Sequence, residues 1–375
     1  MRSRVAKLAG RLRPTPWRVW PVALVVSVGT VALVTSSSAG AASGTVRKVA
    51  TTGTDTGSCT KSPCATIEYA INQANAGDTV KVAAGTYHQT VQITKPLSLI
   101  GSGSSKTTLD GSGLDPGGSF YGVVYVGTTG GAVTIKGLTI TNPFPFAYTG
   151  GEPEVIALID QTASDSVTIT KNVISEGTAD ANAGTDFPIG IDTFKNAATT
   201  TISHNTITGT FQGALLEDNG TANVVSNKVT NLIAGTDTST SPATVYPGEG
   251  VFFLSDLAGS ITGQTASHNS LSGYGGWGII MEAGYNNGNC TTTPCNGSIS
   301  GSVDHNKFAL GGATEKGNPT AAIDMSAQFA GNNLSATVSS NRGYVTAPST
   351  TITTEATSGA TESVTQTKNH VVVHP

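Results

Sequence analysis

The sequence predicts an all-β solenoid, a coil built from stacked rungs of short strands. One phrase recurs along the chain: an apolar residue, two mostly small or polar residues, Asn, one further residue and a second apolar residue. Charged residues make up only 12% of the chain, and the remaining apolar residues fall in short alternating groups, typical of strands and turns. The repeated residues are Asn172, Asn205, Asn227, Asn269, Asn306, Asn341 and Asn369. Their irregular spacing, between 22 and 42 residues, indicates rungs that share a core and differ in their loops.

Residues 1–41 have the three parts of a secretory signal. They contain six basic residues and no acid, then an apolar run, then Ala39, Gly40 and Ala41 as an A-x-A exit. A membrane anchor is the alternative, but the apolar run is shorter than the ~20 residues that a bilayer requires. We therefore expect cleavage before Ala42, a secreted, extracellular protein, and no membrane contact after removal of the signal.

Removing the signal changes the charge balance. All 24 acidic residues stay, but 14 of the 20 basic ones do, so the net charge becomes −10. Phosphate binding needs a basic surface, and the composition therefore excludes nucleic acid as a partner.

The four cysteines form two local pairs in similar words. Cys59 and Cys64 lie in CTKSPC, and Cys290 and Cys295 lie in CTTTPC. In an exported protein each pair is most simply a small disulfide-closed loop. A shared zinc site is the alternative, but the two pairs lie 226 residues apart, whereas structural zinc sites usually combine neighbouring pairs.

A short N-terminal helix followed by strands is predicted over residues 46–113. Ile67, Ala70, Ile71 and Ala74 recur at helical spacing, and Gly77 ends the helix. Pairs of apolar residues two positions apart follow, for example Val80 and Val82, and this spacing is typical of strands. This order indicates a capped solenoid end.

Three stretches within this segment carry a family resemblance. They are GDTVKVAAGTY (77–87), VQITKPLSLIGSG (91–103) and TTLDG (107–111). They resemble the N-terminal cap and first coil of secreted right-handed parallel β-helix proteins of the pectin-lyase-like superfamily, and the Asn repeats extend the likeness to about residues 46–373. The resemblance implies a right-handed parallel β-helix over residues 42–346, with a Thr-rich segment at 347–375 that is either a spacer or a last coil.

The resemblance implies no reaction, because lyases, hydrolases, esterases, epimerases and adhesins share this fold. The sequence has neither the N-T-D, D-D, G-H-G and R-I-K set of polygalacturonases nor the Q-D-T-L and D-F-I-F-G words of pectin methylesterases. No established class of pectin enzyme is therefore indicated.

A second strand precedes each Asn phrase. Alternation places one set of its side chains inside the coil. This set is Ile191, Ala214, Leu216, Val251, Phe253, Ile279, Met281, Ile323 and Met325. The repeated Asn is expected in a turn between strands, where it tolerates unusual backbone angles and pairs its amide with the neighbouring rung.

Three of the Asn residues follow a histidine, namely His204, His268 and His305. A metal site is one hypothesis. Lys171, Ser226 and Ser340 occupy the same position in other rungs, which favours an exposed polar position instead.

Acids recur near one outward position of the second strands. They are Asp160, Asp192, Glu217, Asp218, Asp256, Glu282 and Asp324. If the strands are in register, these carboxylates form a column at about the ~4.8 Å strand spacing. Close carboxylates raise one another's pKa, which is the basis of acid and base catalysis in glycoside hydrolysis. We predict Asp192 and Glu217 as the catalytic pair, with Glu282 or Asp324 as the next choice.

Two alternatives remain for these acids. They could bind Ca²⁺ for β-elimination from an acidic polysaccharide, with Lys195 as the base, since Arg47 and Arg342 are the only arginines after the signal. Alternatively, they form a solubilising outer face that prevents edge pairing. Ca²⁺ is therefore a candidate cofactor, and no other is indicated.

Aromatic residues near these acids suggest a sugar site. Trp277, the only tryptophan after the signal, lies near Tyr274 and Glu282, and either stacks on a sugar or packs under a loop. With Asp160, these aromatic residues are the predicted substrate-binding residues, in a groove between loops 142–154 and 235–250. The sequence thus predicts a monomeric protein that binds extracellular polysaccharide, with cleavage by a hydrolase or lyase mechanism as one hypothesis. The alternative is a non-enzymatic adhesin or cell-wall structural protein.

Overall fold

The computed structural model describes residues 44–114, 122–127, 129–141, 154–159, 162–176, 188–194, 198–217, 220–237, 244–255, 259–273, 275–284, 297–311, 314–315, 318–347, 350–357 and 359–374. The predicted signal peptide, Cys290 and Cys295 lie outside these ranges. Within them, no helix has the length and apolar character needed to cross a membrane.

Three long parallel sheets form the walls of the coil. Sheet A contains Val46–Val49, Thr79–Val82, Ser98–Gly101, Ala132–Lys136, Ser166–Thr170, Thr199–Ser203, Thr221–Val225, Gly259–Ser267, Gly297–Asp304, Asn333–Ser339 and Thr361–Thr367. Sheet B contains Gly85–His88, Thr107–Asp110, Thr139–Thr141, Val173–Ser175, Thr206–Thr208, Lys228–Leu232, Ser270–Gly273, Lys307–Leu310, Arg342–Thr346 and His370–His374. Sheet C contains Val91–Ile93, Gly122–Val126, Glu154–Ile159, Ile189–Phe194, Gln212–Glu217, Gly248–Ser255, Gly275–Ala283, Ala321–Ala327 and Thr350–Ala356.

The chain passes through the sheets in the order A, B, C and then returns to A one rung further along. The predicted right-handed parallel β-helix is therefore confirmed. Two small antiparallel hairpins lie between strands of sheets B and C: Gly235–Asp237 with Thr244–Tyr246, and Thr314–Glu315 with Asn318–Pro319. The Thr-rich segment contributes the last strand of each sheet, so residues 350–374 form a final turn of the coil.

Aliphatic side chains fill the coil. All nine residues predicted to point inward from sheet C belong to one continuous buried cluster. Isoleucine and valine from sheet A, such as Ile169, Ile202 and Val224, belong to the same cluster. The prediction of the inward set is confirmed. Because the strands are parallel, each inward side chain packs against its equivalent in the neighbouring rung.

A ladder of asparagines closes the turn between sheets A and B. In each rung, the backbone N–H and the side-chain Nδ2 of the Asn both donate to Oδ1 of the next Asn. From Asn205 to Asn227 these distances are 3.0 and 3.1 Å. The same Nδ2 also donates to a sheet A carbonyl of the preceding rung, in this case Ile169 at 2.9 Å. Asn227 is only 2% exposed, so the ladder satisfies polar groups that water does not reach.

The unusual backbone angle belongs to the residue before the Asn. Seven residues in this position have a positive φ, between 54 and 57°. They are Lys171, His204, Ser226, His268, His305, Ser340 and Lys368. The expectation that Asn itself adopts this conformation is therefore wrong. The Asn is needed for its amide, and its neighbour makes the left-handed turn. The three histidines are exposed, as expected for this position, and the rings of His268 and His305 stack with centroids 5.0 Å apart.

One helix, one buried ion pair and one disulfide stabilise the N-terminal cap. The helix α1, Ile67–Gln73, begins at Thr66, whose side chain accepts a hydrogen bond from the Tyr69 N–H, and it ends before the predicted stop at Gly77. Arg47 donates to the Asp78 carboxylate at 2.9 and 3.0 Å inside the cap. The predicted disulfide between Cys59 and Cys64 is present and closes a five-residue separation.

Asp165 fixes the turn that leads from one rung into sheet A. Its carboxylate accepts hydrogen bonds from the backbone N–H and hydroxyl of Thr162, from the Thr129 hydroxyl and from the Gly131 N–H, at 2.7–2.9 Å. Burial disfavours the charged form, but these four bonds outweigh burial and lower the pKa of Asp165 to about 2.

Replacing Asn227 by Ala should lower the free energy of unfolding by roughly 3 kcal/mol, because it leaves the Asn205 amide and the Ile202 carbonyl without buried partners. Asn223→Ala is the matched control, since Asn223 lies half-exposed on the outer face of sheet A. Chemical denaturation of both variants measures the difference. Equal stability of the two variants would show that the ladder contributes nothing.

Asp165→Asn should destabilise the protein by about 2 kcal/mol at neutral pH through the loss of charge-assisted hydrogen bonds. Because the pKa of Asp165 is lowered in the folded protein, its ionised carboxylate stabilises the fold. This stabilisation is complete above the ordinary aspartate pKa of ~3.9 and is lost as the pH falls toward 2. Thermal melts of both proteins from neutral to acid pH should therefore converge. A constant difference across this range would refute the proposed cause.

Candidate functional site

Four consecutive strands of sheet C carry a glycine at the same position near their start. Gly190, Gly213, Gly250 and Gly278 stand at equivalent positions in consecutive rungs. A Cβ on Gly213 would overlap the Gly250 carbonyl oxygen and approach Val229, and a Cβ on Gly250 would overlap the Gly278 carbonyl oxygen and Leu271. These glycines therefore face the core, and so does the residue that follows each one.

The glycine and the residue after it both face the core, and the residue before the glycine therefore faces outward. The outer face of sheet C consequently presents three columns of side chains. The first contains Glu154, Ile189, Gln212, Glu249, Trp277 and Ala321. The second contains Tyr125, Ala157, Asp192, Leu215, Phe252, Ile280, Asp324 and Thr353. The third contains Ile159, Phe194, Glu217, Leu254, Glu282, Ser326 and Glu355.

This outer face is withdrawn from water, although it lies outside the coil. Leu215, Phe252, Leu254, Trp277 and Ile280 form a second apolar cluster, separate from the core. Asp192 is fully buried. By contrast, the equivalent outward threonines of sheet A are half-buried or exposed. Sheet C therefore differs from sheet A in having a covered outer surface.

The four predicted catalytic acids all lie on this face. Asp192, Glu217 and Asp324 are buried, and Glu282 is half-buried. Asp192 pairs with Leu215 of the next strand, and Glu217 lies two residues beyond Leu215, so the predicted pair occupies adjacent strands. Asp192 and Asp324 share a column, but Leu215, Phe252 and Ile280 separate them. The acids are thus distributed over different columns of one face.

The structure gives partial information on the other predicted site residues. Trp277 is 6% exposed and lies in the second apolar cluster, so its ring is packed. Lys195, Tyr274 and Asp160 lie outside the described residues, as do Asp218, Asp256 and residues 142–153.

Sequence reasoning missed three polar residues of this face. Gln212 donates its amide to the Glu249 carboxylate at 2.7 Å, and both side chains are buried. A third residue, Glu154, lies further along their column. All three precede a position that faces the core, which is Gly213 or Gly250 for the first two. For Gln212 and Glu249 the following glycine was the available signal in the sequence. Strict alternation of inward and outward residues assigns all three residues to the wrong face.

Counted together, these acids form a regular set. Seven consecutive strands of sheet C each carry one acid on the outer face, which we call the acidic row. Its members are Glu154, Asp192, Glu217, Glu249, Glu282, Asp324 and Glu355.

The row ends in a cluster that is partly open to solvent. We call Glu282, Asp324, Ser326 and Glu355 the terminal acidic cluster. Ser326 pairs with Glu282 on one side and with Glu355 on the other. Its hydroxyl is buried and has no hydrogen-bond partner. The Thr353 hydroxyl donates to Asp324.

The negative charge of this cluster affects Glu362, a neighbouring acid in the last rung. Burial raises the pKa of Glu362, and repulsion from Asp324 and Glu355 raises it further against an opposing hydrogen bond from Thr354. Among the described residues, no group of three or more His, Cys, Asp and Glu side chains is arranged to hold a metal ion.

The fold and the covered acidic face define the class of the protein. It is a right-handed parallel β-helix, the fold that the sequence resemblance implied. The chain belongs to the family described as "Protein of unknown function (DUF1565)", whose model matches residues 49–276. The comparison with curated proteins gave no match.

Several solved structures are similar in fold. A pectin methylesterase from carrot has a TM-score of 0.41 and 10% identity, covering 87% of this chain and 82% of that chain. A GH136 lacto-N-biosidase from Eubacterium ramulus has a TM-score of 0.45 and 10% identity, covering 87% and 68%. An alginate lyase from Paenibacillus sp. str. FPU-7 has a TM-score of 0.40 and 17% identity, covering 87% and 99%. These likenesses do not bear on the reaction, since one fold hosts many chemistries.

Replacing Glu362 by Gln should raise the melting temperature at neutral pH, because the raised pKa shows that the native fold disfavours the charged form. The sign follows from linkage: the penalty is absent below the ordinary glutamate pKa of ~4.3 and grows as the pH rises through the raised value. Melts at neutral pH and near pH 4 measure it, with Asp304→Asn on sheet A as control. A variant that is no more stable at neutral pH than at acid pH would show that the repulsion is negligible.

Proposed function

We propose that this protein is exported, binds polysaccharide along the outer face of sheet C and hydrolyses glycosidic bonds there. One observation carries the proposal: seven consecutive strands each present one carboxylate on a face that also holds Trp277 and Phe252. Carboxyl groups on a water-excluded surface are the chemical requirement for glycoside hydrolysis. A charged row of this kind contributes nothing to an apolar core, so a functional role explains its position better than a structural one.

Asp192 and Glu217 are the acids to which we assign catalysis. They lie on adjacent strands of the same face, within reach of a single sugar linkage. In the proposed reaction, one carboxylic acid protonates the leaving oxygen. The other carboxylate either activates water or attacks the anomeric carbon. Glu249, held by the Gln212 amide, lies on the strand after Glu217 and would orient the sugar.

Hydrolysis is favoured over elimination by the composition of the face. Elimination needs a base such as Arg or Lys, and none of the described strands of sheet C contains either. Lys195, the base proposed for that mechanism, lies outside the described residues. The carboxylates of the acidic row are sufficient for hydrolysis without such a base.

Export is supported by the signal-like residues 1–41 and by the Cys59–Cys64 disulfide. Disulfides persist in oxidising compartments outside the cytosol. An extracellular location also matches a polymeric substrate.

A non-enzymatic adhesin is the second candidate, and sheet A favours it. Its central outward column contains hydroxyl and amide side chains and no charge over ten successive strands. The column is Thr79, Ser98, Thr134, Thr168, Thr201, Asn223, Thr265, Ser302, Thr337 and Thr365. An uncharged, regular surface of this kind suits adhesion to an uncharged polymer without chemistry.

Asp192→Asn and Glu217→Gln should each reduce hydrolysis of a responsive polysaccharide by at least ~100-fold, because each removes one partner of the acid–base pair. Purified protein is first screened against a panel of polysaccharides, with and without Ca²⁺, for release of reducing ends or unsaturated products. The melting temperatures of both variants should remain close to that of the wild type.

Asp304→Asn, which alters an acid on sheet A, is the matched control and should keep full activity. Full activity of both sheet C variants would exclude the assigned pair. Binding that changes Trp277 fluorescence, without any product, would favour the adhesin.

A further inference from the structure

The turn between sheets A and B carries a line of exposed basic side chains, which we call the basic ridge. Two outward positions flank each Asn of the ladder: the turn residue before it and the residue after it, which begins a strand of sheet B. In all seven rungs from Asn172 to Asn369, at least one of these two positions holds Lys, Arg or His. The members of the basic ridge are Lys171, His204, Lys228, His268, His305, Lys307, Arg342, Lys368 and His370.

The side chains of the basic ridge are open to solvent and mostly without acidic partners. All nine are exposed. Among the described residues, His305 is the only member with an acidic partner, and its Nδ1 lies 2.9 Å from a carboxylate oxygen of Asp304. Asp304 is also the only acid in the described outward columns on either side of the ridge in these rungs. The net charge of −10 after the signal therefore conceals a local excess of positive charge.

Strand pairing places like charges of the ridge directly beside one another. Lys307 pairs with Arg342, and His370 follows in the same column. Like charges at paired positions of neighbouring strands are unfavourable. Other rungs have Thr206 and Ser270 in this column, so the coil accepts an uncharged side chain there. An anionic ligand accounts for the stacked positive charges better than the packing of the coil does.

The course of the ridge restricts the shape of this ligand. Its members follow one another from rung to rung at about the ~4.8 Å strand separation, so the ligand is a linear polyanion rather than a single small anion. They also change between the turn position, as at His204, and the strand position, as at Lys228. A flexible polymer can follow this irregular course, whereas a stiff polymer with its charges along one side cannot.

The side-chain types of the ridge favour a phosphodiester as the anionic group. Four members are lysines and one is arginine. In four of the seven rungs, the second position holds a hydroxyl side chain beside the basic one; these are Thr206, Ser226, Ser270 and Ser340. Ammonium and hydroxyl donors approach the tetrahedral oxygens of a phosphodiester from many directions, whereas a planar carboxylate is best matched by the bidentate fork of arginine.

The ridge lacks the rings on which nucleic-acid bases stack. Proteins that bind single-stranded nucleic acid combine a basic groove with aromatic side chains that stack on the bases. The two columns of the ridge, in which every position is described, contain no Phe, Tyr or Trp. The rings of His268 and His305 already stack on each other, with centroids 5.0 Å apart. A phosphodiester polymer without bases therefore fits the ridge better than nucleic acid does.

We propose that the basic ridge binds a flexible phosphodiester polymer of sugars or polyols outside the cell. In the complex, the lysines and Arg342 neutralise successive phosphates, and the hydroxyls of residues such as Ser226 and Ser270 donate to phosphate oxygens. The ridge lies at the corner of the coil that sheet C does not adjoin, so the polymer anchors the protein and leaves the outer face of sheet C free. This site is independent of the hydrolysis proposed for sheet C.

Calorimetry with polymers of equal charge number tests the proposal. The probes are a glycerol phosphate oligomer, oligogalacturonate and single-stranded DNA, with neutral dextran as the uncharged control. The glycerol phosphate oligomer should bind at low salt and weaken as salt is added. Oligogalacturonate and DNA should each bind at least ~5-fold more weakly, because one has planar carboxylates and the other has bases without a stacking partner. Dextran should not bind.

A matched pair of double variants locates the site. Lys307→Gln with Arg342→Gln should weaken binding of the glycerol phosphate oligomer at least ~5-fold. Its melting temperature should be no lower than that of the wild type, because the substitutions remove a like-charge contact. Lys81→Gln with Lys106→Gln changes the net charge equally at exposed positions outside the ridge and should change binding less than ~2-fold.

Three results would overturn the proposal. Equal losses in the two double variants would show that net charge, and not the ridge, attracts the polymer. Binding of oligogalacturonate or DNA as tightly as the glycerol phosphate oligomer would overturn the choice of a base-free phosphodiester polymer. No binding of the glycerol phosphate oligomer at low salt would overturn the site itself. Each of these results leaves the proposed hydrolysis untouched, since the basic ridge contributes no residue to sheet C.

Discussion

In-register stacking of successive rungs is the constraint on which the rest of this structure depends. Parallel pairing joins each strand to its equivalents above and below, and the Asn ladder does the same for the turn between sheets A and B. A one-residue slip would reverse the faces of a strand and break the ladder. Residues tens of positions apart thereby become neighbours, so a surface on this coil is assembled from about one residue per rung.

The bend near the start of the sheet C strands determines which side chains lie on the outer face of that sheet. Strands of sheet C have two consecutive core-facing residues near their start, and at Gly213 and Gly250 there is no room for a Cβ. The bend transfers Gln212, Glu249 and Trp277 to the outside, beside Phe252. Sheets A and C are built from the same rungs, yet one is an open hydroxyl-rich wall and the other a covered acidic one. The difference arises from local backbone geometry and from what covers each face.

Much of the fold was predictable from the chain, because it follows from short-range patterns. The Asn phrase predicted the turn, and strict alternation predicted the inward position of residues such as Ile279 and Met281. The candidate site was less predictable. Alternation cannot represent the bend at Gly250, so Glu249 was missed. It also cannot show that Leu215 and Ile280 separate the acids of one column, because this depends on the register of the strands. Nor can it show that Trp277 is packed, because this depends on the burial of the outer face of sheet C.

The acidic row is therefore best understood as a feature that the fold permits but does not require. Burying a carboxylate costs free energy unless it gains hydrogen bonds or opposite charge. Five of the seven acids of the row are buried. Sheet A shows that equivalent outward positions accept threonine and serine. The raised pKa of Glu362 shows the same disadvantage at the end of the row, where repulsion reaches the last rung. The position of these acids is better accounted for by the function proposed for this face than by the packing of the coil.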